Sequence, residues 1–317
     1  MKAAVYAKYG APEVLQIKTV AKPSPKDNEI LIKIHAAAVT SADSRLRKAD
    51  PFAVRFIFGL FSPKKPVLGG VLSGVVEAVG KNVQQFKVGD AVFGSSYPHF
   101  GAHAEYVCVP ETAPLAIKPA NMSHEEAAAL PFGGMTALHF LQKAGIRPGQ
   151  KVLIYGASGA VGTAAVQIAK YLGAEVTGVC STANVDMVKS LGADAVIDYT
   201  QTDFAAPGGQ YDVVYETVNK APVAAGLAAL RKNGTLVLGA AMPAETLQGL
   251  WANMTGRAKV LSGVATETAD AVVFLKKMAE EGRLTAVIDK KYTLEQIAQA
   301  HAHVDTGRKK GNVVIVV

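Results

Sequence analysis

The sequence predicts an α/β protein in two parts, a β-rich first portion followed by a doubly wound parallel sheet. Three observations carry that prediction. The chain has 317 residues, more than one ordinary domain of about 100–200 residues holds. Up to residue 122 the chain reads as extended stretches separated by turn-rich pieces such as Lys22-Pro23-Ser24-Pro25 and Lys87-Val88-Gly89-Asp90. From residue 123 onward, short apolar runs alternate with helical stretches, the pattern of βαβ units with right-handed crossovers.

Composition narrows the class. Half of the residues are hydrophobic and 19% are charged, which excludes a disordered chain. The net charge of +7 is spread along the chain; it suits an anionic ligand such as a phosphorylated cofactor and argues against a nucleic-acid partner. Two cysteines, Cys108 and Cys180, give neither a disulfide framework nor zinc-finger spacing. The start, Met1-Lys2-Ala3-Ala4-Val5-Tyr6, reads as a strand rather than a signal peptide, and no run of about 18 apolar residues occurs, so a cytoplasmic protein with no membrane partner is expected.

The elements follow in order. Glu29–Ala37 is a strand with Ile30, Ile32 and Ile34 alternating against Leu31, Lys33 and His35. Further strands are expected at Gly74–Val79, Ala91–Phe93 and Ala104–Val109. Ser123-His124-Glu125-Glu126 is a capping-box pattern before an alanine-rich helix. Lys151–Tyr155, Glu175–Cys180, Ala195–Asp198, Tyr211–Glu216 and Thr235–Leu238 are the parallel strands, with helices reaching Leu172 and spanning Val185–Ser190 among them. Thr293–His303 reads as a helix and Asn312–Val317 as a terminal strand that either rejoins the first part or extends the second sheet.

The strongest motif is Gly156-Ala157-Ser158-Gly159-Ala160-Val161-Gly162, set between the strand Val152–Tyr155 and the helix Thr163–Leu172. Dinucleotide binding needs a tight turn, a close backbone approach to pyrophosphate and close helix–strand packing. Gly159 and Gly162 fit the last two needs, Ala157 stands where the usual first glycine would be, and the helix N-terminus offers free N–H groups to phosphate. The alternative is a glycine-rich turn with no ligand. Beyond the second strand stand Ser181, Thr182 and Asn184, with no acid before Asp186. A carboxylate there would bind the ribose hydroxyls of NAD and repel the 2′-phosphate of NADP, so NADPH is the expected cofactor.

Several longer stretches resemble the zinc-independent quinone oxidoreductases of the medium-chain dehydrogenase/reductase superfamily. They are Gly74–Gly80, Phe86–Gly94, Ala127–Ala137, Ser190–Asp194 and Val196–Tyr199. The resemblance implies a GroES-like β-rich domain over residues 1–122, completed by about 288–317, and a Rossmann dinucleotide-binding domain over 123–287. It implies reduction of a small-molecule electrophile, a quinone or an activated carbon–carbon double bond, and a homodimer. Zinc alcohol dehydrogenases of the superfamily carry Gly-His-Glu where this chain has Gly69-Gly70-Val71, and the region of their catalytic cysteine reads Val39-Thr40-Ser41-Ala42-Asp43, so no metal is expected. A metal on His99 and His103, or on His301 and His303, is the minor alternative.

Site residues follow from the same resemblance. Thr136 is expected at the nicotinamide, or else bonded to its own helix. Tyr199 is expected at the adenosine end or in strand-end packing, Gly239 at the carboxyl edge of the sheet, and Asn312 beside the cofactor. On the substrate side, Thr40 replaces a frequent asparagine. Arg45 would stabilise a developing anion or else pair with Asp43, and the proton would come from Tyr97 or from bulk water. Phe52, Phe56, Phe58 and Phe61 form an aromatic segment that is a substrate lid, a buried local cluster or a contact for a partner or lipid surface. The functional readings are an NADPH:quinone reductase, a reductase of α,β-unsaturated carbonyls or enoyl thioesters, and a non-catalytic NADPH-binding protein. A zinc alcohol dehydrogenase comes last.

Overall fold

The computed structural model describes residues 1–206, 208–240, 243–254 and 258–317. The first stretch holds β1 (Lys2–Val5), β2 (Gln16–Thr19), β3 (Glu29–Val39), α1 (Ser41–Lys48), α2 (Val54–Phe58), β4 (Val71–Val79), β5 (Ala91–Ser95), β6 (Tyr106–Pro110), β7 (Leu115–Ile117) and α3 (His124–Ala129). Then come α4 (Pro131–Ala144), β8 (Lys151–Tyr155), α5 (Ala160–Tyr171), β9 (Glu175–Cys180), α6 (Val185–Ser190), β10 (Ala195–Asp198), β11 (Tyr211–Glu216), α7 (Val223–Ala229), β12 (Leu230–Leu238), α8 (Pro243–Met254) and β13 (Lys259–Ser262). The chain closes with α9 (Ala269–Glu280), β14 (Ile288–Thr293), α10 (Ile297–Asp305) and β15 (Asn312–Val316).

Two compact units result: Met1–Phe132 with Glu267–Gly282 and Ala286–Val317, and Gly133–Thr266 with Arg283–Thr285. The first is a sheet in the order β14-β15-β3-β4-β5-β7, with β6 also paired to β3. In its central strand β3, Leu31 is buried like its neighbours Ile30 and Ile32, whereas Lys33 is exposed and His35 half-buried around the buried Ile34, so the two-residue alternation fails at Leu31 and holds at Lys33 and His35. β15 lies antiparallel to β3, with Val313 opposite Val39, which settles the terminal strand in the first unit. Val313 and Ile315 fill the core beneath α10, and Val314 packs on the other face against Ala128 and Ala129 of α3. Full burial of each such side chain is worth about 1.5–3 kcal/mol, which is what holds the chain end in place.

The Ser123 capping box forms as the sequence predicts: its hydroxyl accepts from Glu126 N, and the Glu126 carboxylate accepts from Ser123 N. The helix it starts belongs to the first unit rather than the second. Ala127, Ala128 and Ala129 have side chains small enough to press α3 onto β3 and β4. Helix α9 also joins the first unit, where Asn121 Nδ2 donates to Ala279 O at 2.9 Å. The unit boundary therefore falls between Phe132 and Gly133.

The second unit is a wholly parallel sheet in the order β10-β9-β8-β11-β12-β13. The strand sequence runs outward one way from β8 through β9 and β10, then the other way from β11. That reversal makes the carboxyl end of β8 the switch point, where ligands of doubly wound sheets bind. Leu153, Val179, Val214, Leu236 and Val260, one from each of five strands, form its core. Among the described residues no helix is long and apolar enough to cross a membrane.

Candidate functional site

The glycine turn sits at the switch point. Gly156 turns the chain at a φ of +81°, and a Cβ there would meet Thr217 Oγ1 at 2.7 Å. The tight-turn glycine of the motif is therefore Gly156. Gly162 lets α5 press against the turn, since a Cβ would meet Gly156 O at 2.1 Å. Gly159 differs from both: a Cβ there would meet nothing closer than 3.5 Å. It is the N-cap of α5 and offers no side chain to the first N–H groups, those of Ala160, Val161 and Gly162. This bare, open helix start has the free donors and the room that a phosphate needs, and Ser158 stands beside it half-buried. The residues present therefore fit a dinucleotide.

Helix α4 reaches the same place. A Cβ on Gly133 would meet Ala160 O at 2.2 Å, so α4 approaches the start of α5 backbone to backbone. Thr136, one turn further, is half-buried, and its hydroxyl has no hydrogen-bond partner among the described residues. Gly239 has a packing role: a Cβ would meet the Tyr215 ring at 2.7 Å, and its N–H donates to Glu216 O at 2.8 Å. Glu216, buried at the end of β11, accepts from the N–H groups of Val218, Asn219 and Lys220 and anchors the turn that follows. Burial raises its carboxyl above the ordinary range.

At the far end of the turn, Asn184 Nδ2 donates to Ser181 Oγ at 3.1 Å, and Thr182 donates its hydroxyl to Asp198 at 2.5 Å. Asp198 also accepts from Thr200 N and Thr200 Oγ1, and these bonds hold its carboxyl below the ordinary range, with Thr182 the largest contribution. An acid thus does stand beside Thr182, supplied by β10. The exposed Tyr199 follows it, its ring 6.2 Å from that of Tyr155.

In the first unit, Thr40 caps α1. Its hydroxyl donates to Asp43 Oδ2 at 2.6 Å, and Asp43 N donates back at 3.2 Å. Asp43 is 1% exposed and accepts further from Thr40 N and Gly69 N. Arg45 points into solvent and forms no ion pair with Asp43. The buried cation of this helix is Arg47, which bonds Asp305, His301 Nδ1 and Gly10 O and ties α1 to α10. Asn312 is 6% exposed and donates to Val287 O at 3.2 Å, a latch for the terminal strand.

Tyr97 follows β5. It is 43% exposed, its hydroxyl has no partner among the described residues, and its ring meets Phe100 edge-on at 5.4 Å. Phe58 meets the same Phe100 at 5.8 Å, whereas Phe52, Phe56 and Phe61 are exposed, so the aromatic segment is not a buried cluster. The residues behind Tyr97 hold a group that sequence patterns did not single out. Glu267 shares a hydrogen bond with Ser95 Oγ, which lies within reach of Gly70 O and Tyr97 N. Burial raises the Glu267 carboxyl, the hydrogen bond from Ser95 opposes the rise, and the Asp43 charge adds to it. Glu267 lies far from Ser95 in sequence, and no local periodicity relates them.

Among the described residues no group of three or more His, Cys, Asp or Glu could hold an ion. His103 Nε2 lies 3.2 Å from Ala38 O, and His303 contacts Tyr292 and Asp289.

Comparison with known proteins agrees with this architecture. Residues 26–119 match the family described as "Alcohol dehydrogenase GroES-like domain", and residues 191–315 match "Zinc-binding dehydrogenase". The chain is 34% identical to a 2-methylene-furan-3-one reductase of Solanum lycopersicum, covering 99% of this chain and 79% of that one. It is 31% identical to an NADPH-dependent alkenal/one oxidoreductase of Arabidopsis thaliana, with the same coverage. The structure of a quinone oxidoreductase from Coxiella burnetii superposes with a TM-score of 0.91 at 28% identity, covering 100% of this chain and 99% of that one. A mycobacterial protein solved with NADPH superposes at 0.84 with 27% identity over the whole of both chains. The chain belongs to the quinone oxidoreductase-like branch of the medium-chain dehydrogenase/reductase family and is an NAD(P)-dependent oxidoreductase.

Proposed function

We propose that this oxidoreductase reduces a quinone or a conjugated carbonyl compound with NADPH and without zinc. The observation that carries the reading is the uncapped start of α5 at the switch point of the sheet, flanked by the space at Gly159. NADPH, when bound, supplies the hydride. The N–H groups of Ala160, Val161 and Gly162 receive its pyrophosphate, Ser158 lies alongside, and the unbonded Thr136 hydroxyl is free to fix the nicotinamide end.

Ser181 and Asn184 are the donors for the adenosine 2′-phosphate. The Thr182 hydroxyl is already given to Asp198, and that carboxylate reduces the preference for NADPH over NADH. On the acceptor side, Gly70 and Tyr97 offer an accessible edge. Gly70 has no positive φ, and a Cβ there would find nothing within 4 Å. A glycine whose backbone conformation does not require it, facing open space, leaves room for a flat acceptor.

Two of the relatives above are named for alkenal or enone reduction, which favours carbon–carbon double-bond reduction as the second reading. NADPH oxidation by chelator-treated protein, assayed against a quinone and an enone, tests both. Chelator-insensitive quinone turnover is expected under the first reading. Turnover of the enone alone moves the chain to the second, and turnover that requires zinc overturns both.

A further inference from the structure

We infer that Glu267 stands as a neutral carboxylic acid and gives its proton to the acceptor once hydride has arrived, an assignment that rests on the electrophile reading above. Hydrogen-bond arithmetic locates the proton. Ser95 is 0% exposed, so its hydroxyl has one hydrogen, two lone pairs and no water to share them with. Three groups surround Oγ: Tyr97 N at 3.1 Å, Gly70 O at 2.9 Å and a Glu267 oxygen. Tyr97 N–H donates to one lone pair. The Gly70 carbonyl only accepts, so it takes the Ser95 hydrogen, and with Ser96 N–H at 2.9 Å both of its own lone pairs are filled. Glu267 is left to donate to the second lone pair of Oγ, and it must carry a proton to do so. With a carboxylate at 267 the Ser95 hydrogen turns toward it, and Gly70 O then faces Ser95 Oγ at 2.9 Å with no hydrogen between them.

The surroundings agree. Asp43 accepts from Thr40 N, Thr40 Oγ1 and Gly69 N, which suits a carboxylate, and its charge faces Glu267 from α1. Among the described residues the groups that act on the acid are this anion and the Ser95 hydroxyl at the end of β5; a hydrogen bond donated by Ser95 would favour the carboxylate, but no cation offsets a negative charge at 267. Gly70, whose carbonyl bonds Ser95, opens onto free space on its α-carbon side.

The step balances. Hydride added to a quinone or to the β-carbon of an enone leaves an oxyanion or enolate. The Glu267 O–H bond breaks, its hydrogen bonds to that oxygen or carbon, and a carboxylate remains. Ser95 then swings its hydrogen from Gly70 O to the carboxylate, and solvent returns a proton. One acceptor, one NADPH and one proton are consumed.

Glu267→Gln keeps the size and loses the transferable proton. At pH 7, without NADPH or acceptor, the infrared spectrum of the wild-type protein should show a protonated-carboxyl stretch that Glu267→Gln lacks. The variant should lose roughly 100-fold in kcat with NADPH affinity unchanged, the scale of a general acid, and Glu267→Asp should recover part of it. An ionised carboxylate at pH 7, or Glu267→Gln turnover within about twofold of wild type, overturns the assignment. If Glu267→Gln does not fold, Ser95→Ala serves in its place: the stretch should persist at a shifted frequency while kcat falls, and no change in either overturns the assignment. If the wild-type protein reduces no quinone or enone, the electrophile reading and the proton's role fall together, while the infrared stretch still reports the charge of Glu267.

Discussion

The phosphate turn of the second unit and the acid site of the first unit are assembled in opposite ways. Every residue of the turn lies within Gly156–Gly162, between one strand and one helix. The acid site gathers Asp43 from α1, Gly70 from the approach to β4, Ser95 from the end of β5 and Glu267 from the segment before α9. A contiguous motif is constrained by backbone geometry, so its residue types announce it. A dispersed site is constrained only by where its members meet, and each member alone reads as an ordinary Ser, Gly or Glu. Binding is thus written locally in this chain, and proton chemistry is written in its tertiary contacts.

Substitution inside the turn sharpens the comparison and should have the largest effect. In Gly162→Ala the new Cβ would lie 2.1 Å from Gly156 O, a backbone atom that cannot swing aside. Overpacking of this kind costs about 1–3 kcal/mol, so both the melting temperature and NADPH affinity should fall. Gly159→Ala places its Cβ in open space and should leave the melting temperature unchanged while weakening NADPH binding roughly tenfold through the crowded phosphate cradle. Equal melting losses for the two variants would contradict the division of roles.

The first unit should respond in the other currency. Gly70→Val fills the space beside Ser95, so it should raise the acceptor KM roughly tenfold with the Kd for NADPH unchanged, a loss of contact specific to the acceptor. A parallel loss of NADPH affinity would remove Gly70 from the acceptor side. A smaller effect is expected at the adenosine end. Asp198→Asn removes a negative charge beside Thr182 and should raise the ratio of kcat/KM for NADPH over NADH roughly threefold at low salt, less as salt screens the field. An unchanged ratio would place the 2′-position elsewhere.

A further effect concerns stability. Burial lowers the His124 imidazole to about 4, with the neighbouring His35 and Lys118 adding to the shift. Ser73 Oγ is within reach of both Val92 O and His124 Nδ1; with its hydrogen on Val92 O, the Nδ1–H of His124 donates to Ser73. Between about 4 and the unperturbed value near 6.5 the unfolded chain binds more protons than the fold. The stabilisation is therefore complete above that window and lost as pH falls through it. Melting temperatures between pH 7 and 4.5 should decline less steeply in His124→Asn than in wild type; parallel curves would exclude this histidine as a cause.

The same contrast explains how far the sequence could be read. Lys151–Tyr155, Glu175–Cys180 and Tyr211–Glu216 are legible because buried parallel strands are short apolar runs bounded by turns. The helix at Ser123 is legible as a helix but not as part of the first unit, because its partners on β3 and β15 are remote in sequence. Asp198 escapes a search confined to the residues after the second strand, since the acid arrives from the adjacent strand. Arg45 and Arg47 are two positions apart on one helix and so face different directions; only packing shows that Arg47 is the buried one. The exposure of Phe52, Phe56 and Phe61 is likewise a tertiary fact, as composition there suits burial and contact equally.

The most direct test of the division is to measure NADPH Kd and acceptor turnover on the same preparations of wild type, Gly159→Ala, Gly70→Val and Glu267→Gln. The predicted result is that Gly159→Ala loses NADPH affinity, while Gly70→Val raises the acceptor KM and Glu267→Gln lowers kcat, both with NADPH affinity intact. Loss of affinity and turnover together in all three variants would contradict it.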